Sequence, residues 1–161
     1  MAETKYIVFS LGNQKYGVKL DRINGIEQDY VIVPIPVGAE NIKGIIHLRE
    51  EVIPVFNLKG YFEIDEMDAD CDIQLLVAET HGIKLGIEVD KVYGIVSLAP
   101  EQIKKLPVVA RGEETKYIDG VISTNEYSNN GREDIMLTIA IDNLMSDSDF
   151  EVVTAAIEEA K

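Results

Sequence analysis

The chain has 161 residues, 46% of them hydrophobic, with 15 basic against 29 acidic side chains and a net charge of −14. That balance repels nucleic-acid phosphates and anionic lipid headgroups, so neither nucleic acid nor direct membrane insertion is expected. One cysteine, Cys71, rules out an internal disulfide, and no apolar stretch approaches the roughly 20 residues that cross a bilayer.

The amino terminus lacks the basic start and apolar run of a signal peptide, which with the lone cysteine points to a reducing, cytoplasmic setting. Residues 6–11 and 15–20 read as a hairpin around Gly12-Asn13-Gln14, whose first two members tolerate positive φ. Residues 21–28, with Ile23 and Ile26 three apart and Asp21 placed to cap, predict a short helix weakened by Gly25. Residues 31–36 are extended by Pro34 and Pro36. Then come two apolar runs rich in Ile and Val, 42–48 and 52–58, separated by Arg49, Glu50 and Glu51. They predict a second hairpin, covered on both faces and tipped with charge. Pro54 cannot donate to a ladder, which assigns its strand to an edge or a bulge.

Residues 59–62 predict one helical turn, and the acidic run 63–72 a solvated linker. Strands are expected over 73–80 and 83–89 around His81-Gly82, then 92–98 extended and a turn over 99–103. Beyond these lie a loop over 108–116, a strand over 117–124, a polar loop over 125–134 and a strand over 135–141. Ser148-Asp149-Phe150-Glu151 has capping-box spacing, so 148–161 should be a helix with Phe150, Val153 and Ile157 on one face.

The two halves repeat. The run Gly17-Val18-Lys19-Leu20-Asp21-Arg22-Ile23-Asn24-Gly25-Ile26 matches Gly86-Ile87-Glu88-Val89-Asp90-Lys91-Val92-Tyr93-Gly94-Ile95, and Ile42-Lys43-Gly44-Ile45-Ile46 recurs as Ile118-Asp119-Gly120-Val121-Ile122. The run 53–58 is echoed by 139–144. About five short strands per half suit a small barrel, because closure disposes of edges. The expected architecture is mainly β: two five-stranded barrels packed together in one 1–161 unit. The first spans about 12–72 and the second 73–146. Strand 5–11 could join either barrel, and a C-terminal helix over 148–161 follows. One ten-strand β-sandwich is the alternative.

Chemistry is scarce. No Gly-x-Ser-x-Gly elbow, phosphate-binding glycine loop or zinc-like histidine spacing occurs. Cys71 lies among carboxylates that oppose thiolate formation. Asp68, Asp70, Asp72 and Glu79 have calcium-loop spacing, but Ile73 stands where that loop needs Gly. Asp21 and Asp90 recur at matching places, and helix capping explains both. Arg49 at the hairpin tip is open between two readings: a surface ion pair with Glu50 or Glu51, and an interface anchor. No catalytic, metal or cofactor site is expected.

With Ile42-Lys43-Gly44-Ile45-Ile46-His47-Leu48-Arg49 followed by Val52-Ile53-Pro54-Val55-Phe56-Asn57-Leu58, the chain resembles the CheW family of bacterial chemotaxis coupling proteins. Tyr16-Gly17-Val18, Gly86-Ile87-Glu88-Val89-Asp90 and Val96-Ser97-Leu98-Ala99-Pro100-Glu101-Gln102-Ile103 extend the resemblance from about Lys5 to Leu144. It implies a non-enzymatic adaptor of two SH3-like five-stranded barrels, without cofactor. Such an adaptor links the cytoplasmic tip of methyl-accepting receptors to the regulatory domain of the histidine kinase CheA, in arrays at the inner face of the membrane. Carried over by motif, Gly44 and Arg49 fall at positions sensitive in receptor or kinase coupling, and Ile23 and Ile26 at apolar partner-facing positions. Two departures accompany Arg49: His47 replaces the family's Asn, and Glu50 the Gly whose positive φ the turn would use. Gly25 stands where Glu is frequent. A small-ligand-binding β-barrel is the alternative from another class, and a detached kinase regulatory domain the alternative within the family.

Overall fold

The computed structural model describes residues 3–34, 41–105, 117–124 and 134–160. Ten strands run β1 (Thr4–Leu11), β2 (Gln14–Lys19), β3 (Ile23–Glu27), β4 (Ile42–Leu48), β5 (Glu51–Phe56), β6 (Gln74–Thr80), β7 (Ile83–Val89), β8 (Lys91–Leu98), β9 (Ile118–Thr124) and β10 (Asp134–Ile139). A single helical turn, α1 (Leu58–Tyr61), follows β5, and α2 (Asp147–Ala160) ends the described chain. The strands form two five-stranded sheets, ordered β8-β1-β2-β10-β9 and β3-β6-β7-β5-β4.

These orders do not follow a division at residue 72. The amino-terminal hairpin β1–β2 joins β8, β9 and β10, while β6–β7 joins β3, β4 and β5. Each half lends its first hairpin to the other half's barrel, so the expected stretches 12–72 and 73–146 do not coincide with the sheets. Side-chain alternation gives the physical reason. On β1, Tyr6 and Val8 pack inside their own barrel with Leu98, Ile122 and Met136. The intervening Ile7, Phe9 and Leu11 enter a core shared with Leu76, Ala78, Leu85, Ile87 and Val89 of the other sheet. On β6, Leu75 and Val77 fill the barrel of β3–β7 with Ile46, Ile53 and Val55. Among the described residues the shared core holds nineteen buried residues, helix residues included, against five in each interior, so it is the largest of the three apolar units. An exposed face on either hairpin would leave that surface in water, which is why both hairpins lack polar alternation.

The repeat holds at the level of hydrogen bonds. In one sheet, parallel pairing joins Val55 to Gly86, and in the other it joins Thr138 to Gly17. Gly44 and Gly120 sit at matching register shifts opposite Val55 and Thr138. This corrects the sequence echo: Ile53 corresponds to Met136 and Phe56 to Ile139, three residues upstream of the 139–144 match. Ile139 onward is instead the strand end and a 3-10 turn over Ile141–Asn143, the counterpart of α1.

Other expectations also change. Residues 21–28 are not a helix: a 3-10 turn at Leu20–Arg22 leads into β3, with Ile23 and Gly25 flanking a register shift against β6. β-branched Ile and a mid-segment Gly disfavour the helix, and pairing with β6 supplies the backbone bonds. Asp21 makes no cap there. Pro54 lies in an interior strand rather than an edge. Ile45, its partner on β4, directs its own N–H and C=O to Val33, and parallel pairing with β7 begins only at Val55, so no ladder needs the missing Pro54 donor. Ser146, not Ser148, caps α2, accepting from the Asp149 amide at 3.2 Å. The loop expectation over 108–116 lies outside the described residues, as does that over 125–134 except for Asp134, which begins β10.

The acidic run is a pinned strap rather than a free linker. Asp90, 2% exposed, accepts from Gly12 N at 2.9 Å, Asp68 N at 3.0 Å and Lys59 Nζ at 3.1 Å, so it is a buried anchor and not a helix cap. Asp68 accepts from Ser10 Oγ at 2.6 Å and Tyr93 Oη at 2.5 Å. A second polar anchor holds the carboxyl-terminal elements. Asp142 accepts from Thr80 and pairs with Arg22, and His81 contacts the Asp142 carbonyl at 3.0 Å while stacking on Phe150 at 3.9 Å.

Two outcomes follow from these contacts. A Cβ at Gly44, whose φ is +157°, would lie 2.3 Å from the Val33 carbonyl oxygen. At Gly120 the 2.3 Å neighbour is the movable Ile103 side chain. Gly44→Ala should therefore cost about 2 kcal/mol in denaturant unfolding, and more than Gly120→Ala; equal losses would contradict the close backbone approach. Burial alone would raise the Asp142 carboxyl, but the Thr80 bond and the Arg22 and His81 charges together hold it below its ordinary 3.8. A depressed folded pKa contributes stability above the unfolded value, lost as pH falls through the folded one. Asp142→Asn should lower the thermal midpoint at pH 7, and its deficit should shrink below about pH 4; a deficit constant with pH would contradict this.

Candidate functional site

The β4–β5 hairpin pairs Leu48 with Glu51, leaving Arg49 and Glu50 as a two-residue turn. Its left-handed residue is Arg49, with φ of 58°. Glu50 is not at positive φ, so replacing a Gly there carries no backbone cost at that position, and the strain moves to Arg49. A left-handed non-glycine residue costs about 1–2 kcal/mol, and such strain concentrates where a side chain must be aimed.

The charges at this tip are unevenly satisfied. The Glu51 carboxylate accepts from Lys84 Nζ of β7 at 2.7 Å. Arg49 is exposed and makes no hydrogen bond or ion pair among the described residues, although Glu50 and Glu51 adjoin it in sequence. The surface-pair reading of Arg49 therefore has no ion pair behind it among the described residues. Beneath it lies a recess of about 50 Å³ lined by Asn24, Gly25 and Glu27 of β3, Leu48, Arg49 and Glu51 of the hairpin, and Ile53, Val77 and Lys84. This is the mouth of the β3–β7 barrel, floored by its interior residues Ile53 and Val77.

The structure brings Arg49 to the β3 edge, where Ile26 is 41% exposed. Ile23 is half-buried and packs on the shared core. His47 is exposed on the outer face of β4, because its neighbour Ile46 points inward. Glu50 faces a separate groove of about 360 Å³ beside Glu51, Glu79 and residues of α2. Gly44 does not join the site: it lies four residues along β4 from Leu48, about 13 Å at strand rise, and its role is to admit the Val33 backbone. Lys84 and Asn24 were missed in the sequence. The repeat extended upstream would have marked Lys84, since Lys84-Leu85-Gly86 matches Lys15-Tyr16-Gly17.

Nothing in this arrangement assembles a nucleophile, base and orienting group. The exposed Cys71 thiol is pushed up by partial desolvation and then by the Asp90 charge, away from reactivity. His81 is engaged with Phe150 and Asp142. Asp68 and Glu79, at the two ends of the calcium-loop spacing, turn to different partners, Ser10 and Asn24. The recess offers a guanidinium with no partner among the described residues and a short backbone turn, beside the β3 strand that carries the exposed Ile26, and these are components of a protein-docking surface.

The family described as CheW-like domain matches residues 5–149. "Chemotaxis protein CheW" of Klebsiella aerogenes is 28% identical over 152 residues, covering 92% of this chain and 86% of that protein. The protein of the same name from Treponema pallidum is 28% identical over 120 residues, covering 72% and 71%. The crystal structure of the scaffolding protein TtCheW from Thermoanaerobacter tengcongensis superposes with a TM-score of 0.72 at 29% identity, covering 87% of this chain and 90% of that one. The chain belongs to the CheW-like domain family, and its two SH3-like barrels are that family's fold.

Proposed function

We propose that this CheW-like chain is a non-enzymatic chemotaxis scaffold that couples the cytoplasmic tips of methyl-accepting receptors to the regulatory domain of the histidine kinase CheA. The observation that carries this reading is the unpaired, left-handed Arg49 at the barrel mouth, presented beside the exposed β3 edge. A guanidinium without an internal carboxylate is available to one on a partner, and a planar bidentate pair gives direction as well as attraction. Ile26, exposed on the β3 strand whose Gly25 and Glu27 line the recess with Arg49, adds apolar surface of the kind a helix-in-groove contact uses. The relatives named for chemotaxis and the neighbour titled a scaffolding protein support the same role.

Among the described residues no helix is long and apolar enough to cross a membrane, so recruitment to receptor arrays at the inner membrane face would run through the receptor. The net charge of −14 disfavours stray contact with nucleic acid and anionic lipid, leaving shape and a few charges to set specificity. A small-ligand barrel gains no support. Tyr6, Val8, Leu98, Ile122 and Met136 fill one interior, and Ile46, Ile53, Val55, Leu75 and Val77 the other.

The test is receptor-dependent control of kinase autophosphorylation in a reconstitution with chemoreceptor fragment and CheA from the same genome. Control should require this chain. Arg49→Ala should weaken it with little change in thermal midpoint, and Arg49→Gly should weaken it while raising unfolding free energy by about 1 kcal/mol through relief of the left-handed strain. A kinase that responds equally without the chain would contradict the proposal, as would full coupling in both variants.

A further inference from the structure

We infer that Lys84 is a positioning residue for Arg49: by holding Glu51 it keeps the Arg49 guanidinium unpaired and available to a carboxylate on the docked partner. This rests on the docking role proposed for Arg49. Three observations carry it. Arg49, Glu51 and Lys84 line one recess, in which Arg49 and Lys84 are the two cationic members. The Glu51 carboxylate is committed across the barrel mouth to Lys84 at 2.7 Å. Arg49, two residues from Glu51 in the same hairpin end, is left without a partner among the described residues.

The arrangement is a competition between two cations for one carboxylate. Glu51 and Arg49 are tethered by a single intervening residue, so their mutual encounter carries almost no loop-closure cost. Lys84 comes from a different hairpin and wins in the folded chain because β7 carries its Nζ to the Glu51 carboxylate. Both members of that pair are substantially exposed, with side-chain exposures of 35% and 52%, so the pair contributes little to folding. Its consequence lies elsewhere. Without Lys84, the remaining cation of the recess is Arg49, and a carboxylate that captures it competes directly with the partner's. Glu27 also lines the recess but makes no ion pair with Arg49. Glu51 is thus the carboxylate whose release matters.

The experiment measures affinity of the full chain for a chemoreceptor signalling-tip fragment from the same genome, by calorimetry at fixed salt, with thermal midpoints as fold controls. Lys84→Gln should weaken binding roughly three- to fivefold, the size expected when an exposed pair forms in competition. Lys84→Arg should bind as the native chain does, and Glu51→Gln added to Lys84→Gln should restore the native affinity. In the Lys84→Gln chain alone, the Arg49 Nε–H resonance should shift and exchange more slowly with water. Native affinity in Lys84→Gln, with Arg49→Ala still weakened, would overturn the positioning role and leave the docking role standing. A Lys84→Gln loss that Glu51→Gln fails to restore would also overturn it, since Lys84 would then touch the partner itself. No effect of Arg49→Ala would remove the docking role and this inference with it.

Discussion

The structure depends on the reciprocal exchange of two hairpins. The β1–β2 and β6–β7 hairpins each bury one face inside a barrel and the other against the opposite barrel, so each contributes to two apolar units at once. A fully buried large apolar side chain contributes about 1.5–3 kcal/mol, and Phe9, Leu11, Leu85 and Ile87 place that contribution between the barrels rather than within one. Separating the barrels would expose the larger core, and separating the two sequence halves would pull two strands out of each sheet. Neither barrel is therefore an independent folding unit, although each has its own sheet and interior.

That constraint determines where a binding surface can lie. With both central hairpins covered on both faces, contact with partners is left to sheet rims and hairpin tips, and the β4–β5 tip and β3 edge meet at one of them. Polar anchors fix these rims without creating reactive groups. The buried Asp90 carboxylate satisfies two backbone amides and Lys59, tying the acidic strap to the β1–β2 turn. Removing one partner from such a pair leaves a buried charge uncompensated, so its value is in fixing geometry more than in net stability. The Arg22–Asp142 pair likewise joins the turn after β2 to the turn after β10. A rigid body with a few aimed side chains on its rim fits a scaffold.

Much of this was legible in the chain. Continuous Ile and Val runs without polar alternation announced strands covered on both sides, and the Gly44 and Gly120 motifs announced a repeat that the hydrogen-bond registers confirm. The exchange was not legible, because parallel pairing of Val55 with Gly86 and Thr138 with Gly17 leaves no local mark in either segment. The helix expected over 21–28 was a conflict the repeat could have resolved. Its counterpart from residue 92 reads as extended, and Ile26 and Ile95 occupy equivalent edge positions opposite Leu76 and Ile7. At the site, the exposed tip and Arg49 were visible. The fate of Glu51 was not, since its partner Lys84 lies 33 residues away on another hairpin.

Native-state hydrogen exchange under mild denaturant tests the central claim, that exchanged hairpins make one cooperative body, most directly. The slowest amides of β1 and of β6 should share a single opening free energy equal to that of global unfolding. If either strand opened together with its own sheet while the other stayed protected, the barrels would be separable units and the account would be wrong.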